Sequence, residues 1–135
     1  MRGVISLMSS KSDLDSFINE IKATFPEVAK IIDKRMADLG EDAETYMHAD
    51  MVECFSDATT KAIRQKDSET ASRYLNYISQ KMQNATELEK EYIEVYYTEP
   101  LMWGIKERKL KSWGWKLIPK NIKSQYEKTW GPQDL

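Results

Sequence analysis

Cysteine occurs once in this chain, at Cys54, so no internal disulfide can form. The fold must be held by packing, and so few thiols suit a reducing compartment. Histidine also occurs once, at His48. Any Ser–His–Asp or Cys–His machinery would have to use it. His48 precedes Cys54 by six residues. On a helix at 100° per residue that sets them ~240° apart, off a common face. Phosphate-cradling glycine motifs of the GxGxxG and P-loop kinds are missing, as are HExxH, CxxC and EF-hand patterns. Glu44 and His48 stand at i, i+4 and could reach one ion, but nothing completes a shell. The expectation is a protein that is not an enzyme, with no metal and no cofactor.

Long apolar runs are missing too. Met1 to Met8 is a short, broken run with one positive charge, shorter than a secretory signal. Nothing approaches the roughly 20 apolar residues that span a bilayer. The chain is expected to be cytoplasmic, with no membrane partner.

Glycine and proline are scarce, five and four in 135 residues, and they fall where helices should end. A first helix is expected from about Ser12-Asp13, carrying Leu14, Phe17, Ile18 and Ile21. Pro26 suits the first turn of a second, with Val28, Ile31, Ile32 and Met36 inward and Gly40 as a left-handed cap. A third, from about Asp42 to Gln65, has an apolar stripe of Met47, Met51, Cys54, Phe55, Ala58 and Ala62. Asp67 or Ser68 can cap a fourth, with Ala71, Tyr74, Leu75, Ile78 and Met82 inward. Thr86-Glu87-Leu88-Glu89 reads as a capping box opening a fifth, which Pro100 kinks or ends, with a helical continuation through Leu101 to Ile105. Residues 109–117, around Trp113-Gly114-Trp115, alternate and suggest a turn or a short extended piece. Pro119 starts a last helix with Ile122, Tyr126 and Trp130 inward, closed by Gly131. The fold class is all-α: a single domain of about six to seven helices packed as antiparallel hairpins, with residues 1–9 and 132–135 as flexible ends.

Charge is distributed unevenly although the net is only −2. Residues 1–99 hold 19 acids against 12 Lys and Arg; residues 100–135 hold 3 against 8. Between Arg35 and Lys61 no basic residue occurs. Asp42, Asp50, Glu53 and Asp57 flank Tyr46 on the third helix, opposite the apolar stripe, with Glu41 and Glu44 nearby. Like charges at this spacing repel by a few tenths of a kcal/mol per pair, which a basic partner would offset. These seven residues are the candidate partner-binding face; an ordinary solvated surface is the plainer account. In the basic third, eight Lys and Arg interleave with Trp103, Trp113, Trp115 and Trp130. Such a mixture can stack single-stranded nucleic acid. Against that, Tyr126 and Trp130 lie on a core-like stripe, so the tryptophans are expected to pack the C-terminal hairpin while the lysines answer acids of the same chain.

Three segments carry a family resemblance: Ala23-Thr24-Phe25-Pro26-Glu27, Ile93-Glu94-Val95-Tyr96-Tyr97-Thr98-Glu99-Pro100-Leu101, and Lys116-Leu117-Ile118-Pro119-Lys120-Asn121-Ile122-Lys123-Ser124-Gln125-Tyr126. Together they resemble a group of small helical bacterial proteins. Some of these are similar to immunity proteins encoded beside polymorphic or contact-dependent growth inhibition toxins. The resemblance spans roughly residues 20–130 and carries over no catalytic residue. It implies a cytoplasmic inhibitor of a cognate toxin, with a basic nuclease domain suiting the acidic face. The alternatives are a helical adaptor or regulator with another protein partner and, less favoured, a nucleic-acid binder using the basic, Trp-containing third.

Overall fold

The computed structural model describes the backbone of residues 2–40 and 43–135, and the side chains of 13–40 and 47–135. Seven helices run through the described residues: α1 (Arg2–Thr24), α2 (Pro26–Leu39), α3 (Ala43–Arg64), α4 (Ser68–Asn84), α5 (Glu87–Tyr92), α6 (Arg108–Leu117) and α7 (Lys120–Trp130). Helix α5 runs on without a break into a π-helical segment, Ile93–Thr98. No strand occurs among the described residues. The all-α expectation holds.

Helix α3 is the hub. It packs against α1, α2, α4, the π-helical segment and α6. Its burial is wider than the apolar stripe suggests, because Val52, Ser56, Thr59, Thr60 and Ile63 are also buried. The polar members of that set are satisfied internally. The Ser56 hydroxyl donates to the Tyr97 carbonyl at 2.6 Å, and Thr59 Oγ1 lies 2.8 Å from the Tyr97 hydroxyl. Among its described side chains, those that remain exposed form one strip along the helix: Glu53, Asp57, Lys61 and Arg64, at i, i+4, i+8 and i+11. Acids lie toward its N-terminal end and bases in its last turn, the order the helix dipole favours.

Local signals explain most boundaries. Pro26 opens α2, and Gly40, at φ 57°, closes it with its N–H on the Met36 carbonyl. Asp67 caps α4 by accepting from the Thr70 N–H. The capping box of α5 is complete. Thr86 Oγ1 accepts from the Glu89 N–H at 3.2 Å, and Glu89 Oε1 accepts from the Thr86 N–H at 2.8 Å. The other Glu89 oxygen meets Lys81 Nζ at 3.1 Å, so this buried carboxylate ties α5 to α4. Thr86→Ala is therefore expected to lower stability by about 1 kcal/mol. A urea melt checks it: an unchanged midpoint would mean that Glu89 is held by Lys81 alone.

Several expectations are corrected. Helix α1 begins at Arg2, ahead of the Ser12-Asp13 start. Ile31 is 43% exposed, since α2 seats Val28 and Ile32 in the core and turns Ile31 aside. Leu101–Ile105 is not helical. Pro100 has no N–H to continue the ladder, and the chain folds into tight turns with Trp103 N–H on the Pro100 carbonyl and Ile105 N–H on the Met102 carbonyl. Residues 109–117 are not a turn or an extended piece but lie in α6. Gly114 there is a contact residue rather than a breaker: a Cβ would lie 2.7 Å from Ile63 Cγ2, so its bareness lets α6 approach α3. Trp130 is 46% exposed. Each four-residue step along α7 advances about 40°, so Trp130 sits roughly 80° round from Ile122 and leaves the core. Beyond Gly131 the chain has no regular secondary structure, yet Arg108 Nη2 holds the Asp134 carbonyl at 3.0 Å.

Candidate functional site

The exposed strip of α3 separates two grooves. On one side, α2 and α3 enclose about 300 Å³ lined by Ile31, Lys34, Arg35, Asp50, Glu53 and Asp57, with Cys54 at its floor. On the other, about 420 Å³ lies between α3, the π-helical segment, the turns after it and the end of α7. Val95, Tyr96, Pro100, Trp103 and Trp130 line it, with carboxylates from Glu53, Asp57 and Glu99. Glu53 and Asp57 thus border both grooves.

The apolar residues are distributed accordingly. Four large hydrophobic residues are exposed among those described: Ile31 at 43%, Val95 at 40%, Trp103 at 69% and Trp130 at 46%. All four lie in these two grooves. Scattered exposed apolar residues are ordinary; here they gather around one charged ridge.

Trp103 is outside because the backbone puts it there. Leu101 and Met102 are buried, and Met102 adopts φ 63°, a left-handed conformation rare for a residue with a side chain. The Met102 N–H donates to Thr60 Oγ1 at 3.0 Å, and Arg64 Nη2 donates to the Trp103 carbonyl at 2.7 Å. Gly104 follows at φ 82° and passes so close to Arg64 that a Cβ would meet Nη2 at 2.6 Å. The indole N–H of Trp130 donates to the Glu99 carbonyl at 2.9 Å, and the Trp103 and Trp130 rings lie 6.1 Å apart, tilted by 41°. Hydrogen bonds thus fix the Trp130 indole and the backbone at Trp103.

The carboxylates are under electrostatic pressure. Groove walls strip solvent from Glu53 and, with Asp57 and Asp50 beside it, push its carboxyl above the ordinary range. Partial desolvation raises Asp57 as well, against the pull of Arg35 and Arg64. Neither has an ion-pair partner among the described residues. Asp50 differs: it is half-buried, and Arg35 Nη2 meets its Oδ1 at 3.2 Å. Asp42, Glu41 and the side chains of Glu44 and Tyr46 lie outside the described residues. The candidate face is therefore built from Glu53 and Asp57 with Asp50 at its edge. Tryptophans supply aromatic surface beside them.

Burial and the neighbouring acid Asp57 push the Cys54 thiol up to about 11, which keeps it protonated and a poor nucleophile. His48 is half-buried, and its Nε2 lies 2.7 Å from Asp15 Oδ1, joining α3 to α1. Among the described residues no three His, Cys, Asp or Glu side chains are gathered for a metal ion. No helix there is long and apolar enough to cross a membrane.

The basic third is divided in space. Trp113 and Trp115 pack partly buried against the core, with Trp115 5.4 Å from Tyr126 and beneath Lys123 Nζ at 5.2 Å. Trp103 and Trp130 face the acids instead, so the expected packing of all four tryptophans holds for only two. Lys128 pairs with Glu94 at 3.1 Å and Arg108 comes within 3.9 Å of Asp134. Lys106, Lys109, Lys111, Lys116, Lys120 and Lys123 pair with no acid among the described residues.

Neither the curated proteins nor the solved structures compared with this chain include a match. A family model does match, over residues 18–131, from within α1 to the glycine that closes α7. The chain belongs to the family described as "Domain of unknown function (DUF7674)".

Proposed function

We propose that this protein acts by binding a basic protein partner, in the manner of an immunity protein that neutralises a cognate bacterial toxin domain. A nuclease suits the role, since a domain that binds nucleic acid carries a basic surface. The carrying observation is the ridge of Glu53 and Asp57, unpaired and partly desolvated, flanked by four exposed apolar residues. Interfaces that bind tightly combine aromatic anchors with complementary charge, and charge steers the encounter. On this reading the protein has no catalytic residues; its only thiol is held protonated and its only histidine is engaged with Asp15.

Co-expression tests the proposal. The products of neighbouring reading frames are induced in a bacterial host, singly and with this chain. One of them is expected to arrest growth alone, to be tolerated with the chain present, and to co-purify with it. If every toxic neighbour stays toxic and none co-purifies, the immunity reading falls. Co-purification with a harmless neighbour would replace it with an adaptor role.

A further inference from the structure

The Trp103–Trp130 groove has a shape and charge that narrow what can enter it. This inference rests on reading the ridge as a protein-binding face, and names the group that the face receives. The groove offers two exposed indoles, the apolar flank of Val95 and Pro100, and three carboxylates, Glu53, Asp57 and Glu99. None of the three is in an ion pair among the described residues. An occupant must therefore be cationic, flat enough to lie on an indole face, and weakly enough hydrated to leave water. Guanidinium meets all three requirements: it stacks on aromatic faces and forks its N–H groups onto carboxylates. Ammonium is a strongly hydrated point charge and satisfies only the first.

We propose that this groove is the seat of an arginine side chain presented by the partner protein. The guanidinium lies on the exposed indole surface and donates to carboxylates of the ridge, while its aliphatic stem covers Val95 and Pro100. The structure already contains a smaller version of the charge pairing in the neighbouring groove, where the chain's own Arg35 donates to Asp50. Nucleic acid is disfavoured, since its phosphates would meet three carboxylates. A second copy of the chain is a poor occupant, since the four arginines with described side chains are already engaged: Arg35 with Asp50, Arg64 with the Trp103 carbonyl, Arg73 over the Phe25 ring and Arg108 with the Asp134 carbonyl.

The test uses the full chain and a blocked peptide free of aromatic residues that carries arginine, beside versions with lysine or uncharged citrulline. Binding is followed through the indole N–H resonances, which separate the four tryptophans. The arginine peptide is expected to move the Trp103 and Trp130 signals and to bind at least about fivefold tighter than the lysine peptide, with citrulline inert. Trp103→Ala and the pair Glu53→Gln, Asp57→Asn should each remove that preference; all three positions are exposed, and unchanged circular dichroism shows that folding is kept. Equal affinity for arginine and lysine, shifts confined to Trp113 and Trp115, or a preference that survives Trp103→Ala would overturn the assignment. So would self-association abolished by Trp103→Ala, or stronger shifts from a single-stranded oligonucleotide. A cognate toxin that binds Trp103→Ala as tightly as the parent sinks the arginine seat and leaves the immunity reading standing. Arginine-selective shifts in a protein that protects against no neighbouring toxin do the reverse.

Discussion

Phe55→Ala is expected to destabilise the fold by about 3–5 kcal/mol, as large-to-small changes of a buried aromatic do. Phe55 is fully buried on α3, the helix that meets most of the others. Its ring lies 5.4 Å from Phe25, 5.1 Å from Tyr74 and 5.3 Å from Tyr97, so one side chain joins α3 to the α1–α2 connection, to α4 and to the π-helical segment. Truncation removes buried area and four ring contacts together, the fourth being with Tyr77 at 6.1 Å. Native stabilities are about 5–15 kcal/mol, so this one change spends a large share of the total. Urea denaturation followed by far-UV circular dichroism measures it, with the midpoint falling and the slope unchanged. Phe55→Leu, which keeps most of the volume, should lose much less. A loss below about 1 kcal/mol for the alanine variant would show that the cluster rearranges freely and that α3 is not the keystone.

The elements that were legible in sequence are those with a local cause. Pro26, Asp67, the Thr86–Glu89 box and Gly131 act within one turn of themselves, and each marks its boundary in the fold. The errors lie where a neighbour in space decides. Gly114 looks like a breaker until Ile63 is seen against it. Helix α3 reads as amphipathic because Ser56, Thr59 and Thr60 count as polar. Buried hydrogen bonds to Tyr97 and Met102 let these hydroxyls face the core.

The site divides in the same way. Glu53 and Asp57 follow from helical spacing alone, whereas Asp50 is engaged by Arg35 from another helix. The part that sequence missed is the aromatic half. Trp103 and Trp130 read as packing residues because apolar character is visible in a sequence and exposure is not. The nearest signal was Pro100 beside Leu101-Met102-Trp103: a forced stop followed by three large apolar residues cannot bury all of them on one helical face.

Reversing the ridge, Glu53→Lys with Asp57→Lys, is expected to weaken partner binding by a hundredfold or more while lowering stability by less than about 1 kcal/mol. The two effects have separate causes. In the free protein Glu53 and Asp57 stand at i, i+4 with Asp50 nearby, and such like-charge pairs cost a few tenths of a kcal/mol each. Lysine at both positions exchanges that repulsion for a like-charge pair of its own, adds one against Lys61 and gives up the attraction of Asp57 to Arg35 and Arg64, so the fold loses a little. At the interface each new lysine opposes a cation, and loss of a desolvated charge contact costs about 2–5 kcal/mol. Much of the loss should be in the association rate at low salt, because the ridge supplies the steering field. Asp50→Asn is the informative contrast: it frees Arg35 rather than the ridge, so stability should fall slightly and affinity should change less.

Acidity separates the same two causes. Both ridge carboxyls titrate above the ordinary range in the free fold. Their raised position favours the fold at low pH, and that contribution is lost as pH rises through their titration. Binding to a cation requires the ionised forms, so affinity should fall as pH drops through the same window, starting above the pH at which ordinary carboxylates protonate. Calorimetric titration of the partner from neutral pH down through the carboxylate range reads this directly, with the double lysine variant as the control that should show no such fall. Affinity that is flat over this range in the parent, or equally pH-dependent in the double variant, would place the partner's cations elsewhere on the molecule.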